Sequence, residues 1–363
     1  MPHFDIIRKV TPSESFRVKS IMGSYDMTEA HVEEHFVGNI ELPEKWTIGL
    51  IVGRSGTGKT TIARELFGDH IITNFEYSHE SVLDDMPQEA SVTEICQALT
   101  SVGFASPPSW LKPYSVLSNG EKMRCDLARA ILEKRDLFVF DEFTSVVDRN
   151  VAQIGSYAMQ KALRKKEANG RKFIAVTCHA DVEEWLMPDW VFNTDTMTFS
   201  TSNLDERKKN RPALKLEIFE TKRKREYWEM FRKYHYLNHD LNTAAHVYVC
   251  YVNDQLAAFS SILPQPHPIR KHIWRLHRTV VFPDYQGVGI ATALRVAIAE
   301  DFKKRGITVI TNTSNRAMIG SMVKDIRWKC TSIGRKQCRT GEISLPHQSG
   351  KRITASFEYV GKK

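Results

Sequence analysis

"WTIGLIVGRSGTGKT", residues 46–60, decides the fold of the first part of the chain. An apolar run of strand length leads into Gly53, Ser55, Gly56, Gly58, Lys59 and Thr60, and together "GRSGTGKT" fits G-x-x-x-x-G-K-[ST] in full. "TTIARELFG" (60–68) continues as a helix. Strand, glycine-rich turn and helix in that order make a phosphate cradle. Backbone N–H groups of the turn can surround the anion, and the helix N-terminus adds its dipole. Lys59 is placed for the β- and γ-phosphates of a nucleotide and Thr60 for a Mg²⁺ ion, with Thr61 beside them.

Working outward, "LFVFDE" (137–142) is an apolar strand ending in two acids. Asp141 would reach Mg²⁺, and Glu142 stands where a general base would polarise the attacking water. "KFIAVTCH" (172–179) is a further buried strand, ending in His179. Strands alternating with helical patterns up to about residue 200 give an α/β reading. "LSNGEKMR" (117–124) and "SVVD" (145–148) lie between these motifs.

The ordered set from Gly53 to His179 resembles the ABC-type ATPases, over roughly residues 1–200. The resemblance implies ATP and Mg²⁺ as ligands. It also implies contacts from Ser118, Gly120 and Asp148 to the nucleotide and from His179 to the γ-phosphate. It implies a head-to-tail homodimer in which Ser118 and Gly120 of one copy cap the ATP held by the other. Two signature positions depart from the usual pattern: Asn119 and Glu121 stand where transporters have Gly and Gln. Gln88 is a late candidate for the glutamine loop that couples to a transporter. Tyr25 or Phe36 could stack on adenine, the other reading of each being a core aromatic.

A second glycine loop lies in "HRTVVFPDYQGVGIATAL" (277–294). A strand runs into Gln286, Gly287, Val288, Gly289 and Ala291 and then into a helix. Around it are strands "LKLEIFE", "HVYVCYV", "QLAAFSSIL" and "IWRLHRTVVF", then helix "ATALRVAIAEDFKKRG" and strand "ITVITNT", with a hairpin turn at "VND" (252–254). The antiparallel strands before the loop disfavour a dinucleotide fold. This region, about 213–360, resembles the GNAT acyltransferases. The resemblance implies acetyl-CoA, its pyrophosphate on the loop and its pantetheine arm along the backbone of Val280 and Val281. His277 and His235 are the candidate bases. The family's tyrosine acid has no counterpart, with Ser314 or Asn315 as substitutes.

The expected fold is therefore α/β: a P-loop ABC-type ATPase domain (1–205) followed by a mixed-sheet α/β GNAT-like domain (206–363). Charge divides along the same line. Residues 1–200 carry 21 Lys and Arg against 29 Asp and Glu, whereas residues 201–363 carry 30 against 14. Eleven basic residues fall between 207 and 233: Arg207, Lys208, Lys209, Arg211, Lys215, Lys222, Arg223, Lys224, Arg225, Arg232 and Lys233. A basic half favours a polyanionic acceptor, DNA or RNA, before an acidic protein. Tyr227, Met230, Phe231, Tyr234 and Leu237 recur at spacings of three and four, predicting an amphipathic helix over 221–237. Two other readings stay open: a nucleic-acid clamp with a non-catalytic second domain, and a protein or small-molecule acetyltransferase regulated by ATP. The longest apolar stretches fall far short of the ~20 residues that cross a bilayer. Six isolated cysteines with no C-x-x-C pair suggest reduced thiols in a cytoplasmic protein.

Overall fold

The computed structural model describes residues 3–9, 11–28, 33–72, 75–164, 170–202, 213–235, 240–335 and 353–361. Along the chain come β1 (His3–Lys9), α1 (Phe16–Ser24), β2 (Glu33–Asn39), β3 (Ile48–Val52), α2 (Lys59–Phe67) and β4 (Ile71–Ile72). Then follow α3 (Val92–Ser101), α4 (Pro107–Trp110), α5 (Asn119–Leu132), β5 (Leu137–Phe140), α6 (Arg149–Leu163), β6 (Lys172–Thr177), α7 (Val182–Leu186), β7 (Trp190–Asn193) and β8 (Thr198–Thr201). The rest is β9 (Leu216–Thr221), α8 (Lys224–Phe231), β10 (His246–Val252), β11 (Gln255–Pro264), β12 (Ile273–Val281), α9 (Ile290–Lys304), β13 (Thr308–Thr313), α10 (Arg316–Lys324), β14 (Trp328–Arg335) and β15 (Ile353–Tyr359).

Contacts divide the chain into two compact units. One comprises residues 1–77 and 129–212, the other 78–128 and 213–363. The expected boundary at 205/206 lies outside the described residues. In this division 78–128, from the ATPase part by sequence, groups with the C-terminal part.

In the first unit a six-stranded sheet has the order β4-β5-β6-β3-β7-β8, parallel except for the antiparallel pair β7·β8. Every residue of β3 is buried, as a central strand covered on both faces requires. Gly49 of β3 is small because the indole of Trp190 packs where a Cβ would stand. β1 and β2 form a separate antiparallel pair, and their Phe4 and Phe36 join the core around Ile51, Trp190 and Phe192.

The second unit contains a seven-stranded mixed sheet, β14-β15-β13-β12-β11-β10-β9. Alternation in β10 sends Tyr248, Cys250 and Val252 to one core and Val247 and Val249 to the other. The first core receives Leu294, Ile298 and Phe302 of α9, the second Trp228 and Phe231 of α8. Asn253 and Asp254 take φ +48° and +61° between paired Val252 and Gln255, the twist-matched turn expected at "VND".

The helix expected over 221–237 is shorter. It covers Lys224–Phe231, then tightens into a 3₁₀ turn, Arg232–Tyr234, while 236–239 lie outside the described residues. Its buried face is Trp228 and Phe231, and Met230 is exposed. Phe231 stacks on Phe282 at 4.0 Å and Tyr234 meets the same ring edge-on at 5.5 Å. Packing on that one ring, rather than helical spacing, sets where Tyr234 goes.

Candidate functional sites

Strand order builds the first site. β5, β6 and β3 are adjacent and parallel, so the residues that follow their C-terminal ends, Asp141, His179 and Gly53, share one edge of the sheet. Ligands of open α/β sheets bind at such an edge. The loop after β3 turns on Gly56 and Gly58, both left-handed at φ +84° and +80°. Gly58 is also the N-cap of α2, and no side chain caps that end. A Cβ there would stand 2.5 Å from the Phe36 ring. Phe36 is thus a buried support of the loop, as its core reading had it, while Tyr25 is exposed. Lys59 is buried, and its Nζ donates to the Arg54 carbonyl at 2.7 Å, folding back over the loop. The backbone amide and the side-chain Nε of Arg54 both donate to Asp195, and Thr57 Oγ1 lies 2.6 Å from Thr194 Oγ1.

Thr60 Oγ1 donates to Asp141 Oδ1 at 3.2 Å. Octahedral Mg²⁺ at 2.0–2.1 Å from its ligands sets neighbouring ligand oxygens about 3 Å apart. The pair therefore fits adjacent positions around that ion. Glu142 follows, exposed, at φ +55°, and Thr144 takes φ +67°. Two non-glycine residues in the left-handed region within three positions is local strain of the kind found at reactive sites. His179 is half-buried, its N–H donating to Thr177 Oγ1 at 3.2 Å. Asp148 is exposed and caps α6, its side chain accepting from Asn150 N. Ser55 is exposed and Thr61 half-buried. Among the described residues no cluster of three or more His, Cys, Asp or Glu could hold a metal.

In the second unit, "LSNGEKMR" starts α5. Ser118 and Glu121 form a reciprocal cap: Ser118 N donates to Glu121 Oε2 at 3.0 Å and Glu121 N to Ser118 Oγ at 3.3 Å. Glu121 is buried and fills the N3 position of a capping box, a role Glu and Gln share. Gly120 is buried and Gln88 exposed. Arg124 at the end of the motif is fully buried. Its guanidinium donates to the carbonyls of Pro283 at 3.0 Å and Asp284 at 2.8 Å. Burial pulls its pKa down, opposed by the charges of Asp284 and Glu121.

Pro283 and Asp284 open the turn that leads into the second glycine loop. Gly287 and Gly289 are left-handed, φ +89° and +99°. Gly289 is the N-cap of α9, again with no capping side chain, and a Cβ there would meet open space. Val288 and Ala291 pack on the core beneath. Gln286 is committed to holding the loop: its Oε1 accepts from Ala105 N at 2.8 Å and its Nε2 donates to the Val281 carbonyl at 2.9 Å. The parallel register of β12 with β13 ends at Leu276↔Thr311, while β12 stays paired with β11 to Val281. Residues 277–281, with Val280 and Val281, thus run on past the neighbouring strand. That is where an extended arm could lie against the backbone.

His277 is the first residue past that divergence. It is half-buried, and its Nδ1 finds no hydrogen-bond partner among the described residues. Burial, then Arg278, Arg275 and His235, lower its pKa to about 4. His235 is buried, edge-on to Trp228 at 5.7 Å. Asn315 caps α10, accepting from Met318 N, which gives it a structural task.

Lys222, Arg223, Lys224 and Arg225 line an open pocket of about 410 Å³ with Leu241, Asn242 and Thr243. Arg207, Lys208, Lys209 and Arg211 lie outside the described residues, as do Leu237 and Cys338. None of the five described cysteines forms a disulfide. No described helix is long and apolar enough to cross a membrane.

Residues 208–322 match the Acetyltransferase (GNAT) family model. The chain is 32% identical over 132 residues to mRNA export factor elf1 of Schizosaccharomyces pombe, covering 30% of this chain and 12% of that protein. It is 32% identical over 138 residues to an uncharacterised ABC transporter ATP-binding protein of Haemophilus influenzae, covering 30% of this chain and 55% of that one. Among solved structures, the ribosomal-protein-S18-alanine N-acetyltransferase of Escherichia coli aligns over 41% of this chain and 96% of its own, at 16% identity and TM-score 0.31. The chain joins a part related to ABC-type ATPases to a GNAT acetyltransferase domain.

Proposed function

We propose that this chain hydrolyses ATP at its first glycine loop and transfers an acetyl group from CoA at its second, to an amine on a nucleic acid. The observation that carries the reading is the repeated cradle. Each loop follows a strand, turns on two left-handed glycines and leaves a helix N-terminus with no capping side chain. Such an end presents N–H donors to a phosphate or pyrophosphate.

At the first loop, Lys59 would turn from the Arg54 carbonyl to the γ-phosphate. Thr60 and Asp141 would hold Mg²⁺, which supplies charge neutralisation at the phosphates. Glu142 would orient the attacking water, and His179 would meet the γ-phosphate. Ser118 and Gly120 of a second copy would close on the nucleotide, making a head-to-tail dimer. At the second loop, Gly287–Gly289 would hold the pyrophosphate and residues 277–281 the pantetheine arm. Acetyl-CoA supplies the activated acyl group. His277, neutral at pH 7, would accept the amine's proton, with His235 behind it. The low pKa makes His277 a weak base and favours an acceptor whose amine is itself weakly basic, as exocyclic base amines are. The basic pocket at Lys222–Arg225 is the feature favouring a phosphate-bearing acceptor. Cytoplasmic placement fits the lack of a disulfide among the five described cysteines.

Mass spectrometry of total nucleic acid from cells with and without the gene tests the acceptor. The reading expects an acetylated nucleoside that disappears with the gene. Identical nucleoside profiles, with acetyl found on protein instead, would move the acceptor.

A further inference from the structure

We infer that Arg124 is a positioning residue that ties the acyl-CoA loop to the nucleotide state, so that each ligand changes the affinity for the other. The inference rests on the two sites proposed above. It adds the link between them and its direction through one helix.

Arg124 sits six residues from the cap of α5. Six residues of α-helix span about 9 Å, rigidly hydrogen-bonded throughout. At the cap, Ser118 is exposed while its hydroxyl and amide are locked to Glu121. That end meets the nucleotide in the proposed dimer. Farther along the helix, Arg124 has no solvent exposure and spends its fork on two consecutive backbone carbonyls, those of Pro283 and Asp284. Its carboxylate neighbour Asp284 Oδ1 is farther, at 3.7 Å. A buried guanidinium aimed at main-chain oxygens fixes backbone position rather than neutralising charge. The carbonyls belong to the turn immediately before Gln286, Gly287, Val288 and Gly289.

Two further contacts from the same stretch reach the same loop. Ala105 N donates to Gln286 Oε1. Gly103, at φ +89°, lies so close that a Cβ would stand 2.7 Å from the Gln286 carbonyl. Gln286 in turn donates to Val281, at the end of the strand proposed for the pantetheine arm. Shifting α5 therefore moves the carbonyls of 283 and 284 directly, while the link to Val281 runs from Ala105 through Gln286. This loop is held by a residue that stands 159 and 160 positions before the two carbonyls it grips. That it is gripped from the nucleotide-signature helix is what points to coupling.

The test uses the full chain. The Kd of acetyl-CoA is measured by calorimetry with and without the non-hydrolysable analogue AMP-PNP and Mg²⁺, and the Kd of AMP-PNP with and without acetyl-CoA. Linkage requires both to shift by one common factor, on the order of 5–150-fold for typical coupling. In Arg124→Met each ligand should still bind alone while the factor falls to about one. Arg124→Lys keeps the charge and loses the fork, and should also lose most of the factor. A merely structural arginine would instead weaken acetyl-CoA binding and leave the ratio intact. A wild-type factor of one, or an unchanged factor in both variants, overturns the inference. Acetyl-CoA that fails to bind wild type under any condition overturns the acyltransferase reading beneath it, a different outcome. Should neither variant fold, hydrogen exchange on wild type decides. Amides of 287–290 must change protection when AMP-PNP and Mg²⁺ are added without acetyl-CoA, and no change sinks the coupling.

Discussion

Glu142 is held in a conformation that a side chain rarely adopts, next to an aspartate already shared with Thr60. If it orients water, Glu142→Gln keeps ATP binding and slows turnover by about 10²–10⁴-fold, the usual worth of a general base. Light scattering should then show an ATP-dependent dimer. Wild-type turnover in this variant would remove Glu142 from that role. His277 makes a pH prediction. Its folded pKa, about 4, lies below the unfolded value of 6.5, so between these the unfolded chain binds more protons. The contribution is fully present above pH ~6.5 and is lost as pH falls towards 4. His277→Asn should flatten the stability profile in that window. The difference from wild type should be of order 1–2 kcal/mol at pH 4 once partial exposure is allowed for. Denaturant titrations at pH 7 and pH 4 read it, and parallel profiles would show that the imidazole is not held neutral.

At the scale of elements, α5 depends on its cap. Glu121→Ala should destabilise the second unit by about 1 kcal/mol by freeing the Ser118 amide, while the amide of residue 121 keeps its bond to Ser118 Oγ. Urea unfolding measures this, and an unchanged midpoint would mean the cap is not needed. Lys222, Arg223, Lys224 and Arg225, all changed to Gln, should flatten the slope of log K against log salt for nucleic acid by a few units. Fluorescence anisotropy reads the slope, and the wild-type slope in this variant would make the cluster a solvated helix start. Elements whose pattern is local were legible beforehand: β3 with its loop, β5, β6, β10 to β13 and α9 all fall where apolar periodicity places them. The glycine loops were legible because fixed spacing encodes a fixed backbone. The end of α8 was not, since Phe282, far along the chain, sets it. Nor was the grip of Arg124, because an arginine inside a signature motif reads the same whether it faces water or another segment's carbonyls.

For the whole molecule, two glycine loops of one design stand in one chain, each ending at a helix N-terminus with no capping side chain, and 78–128 belongs to the compact unit that carries the second loop. A fragment beginning near 206 would lack the donors from Ala105 and Arg124, so binding must be measured on the full chain. The most direct measurement is calorimetry of ATP with Mg²⁺ and of acetyl-CoA on wild type, Lys59→Ala and Gly289→Glu. Lys59→Ala removes the buried cation of the first loop. Gly289→Glu puts a strained, negative side chain where φ is +99° and the pyrophosphate would lie. The account predicts that wild type binds both ligands, that Lys59→Ala loses ATP and keeps acetyl-CoA, and that Gly289→Glu does the reverse. A folded wild type that takes up no acetyl-CoA, or on which the two ligands compete for one site, would contradict it.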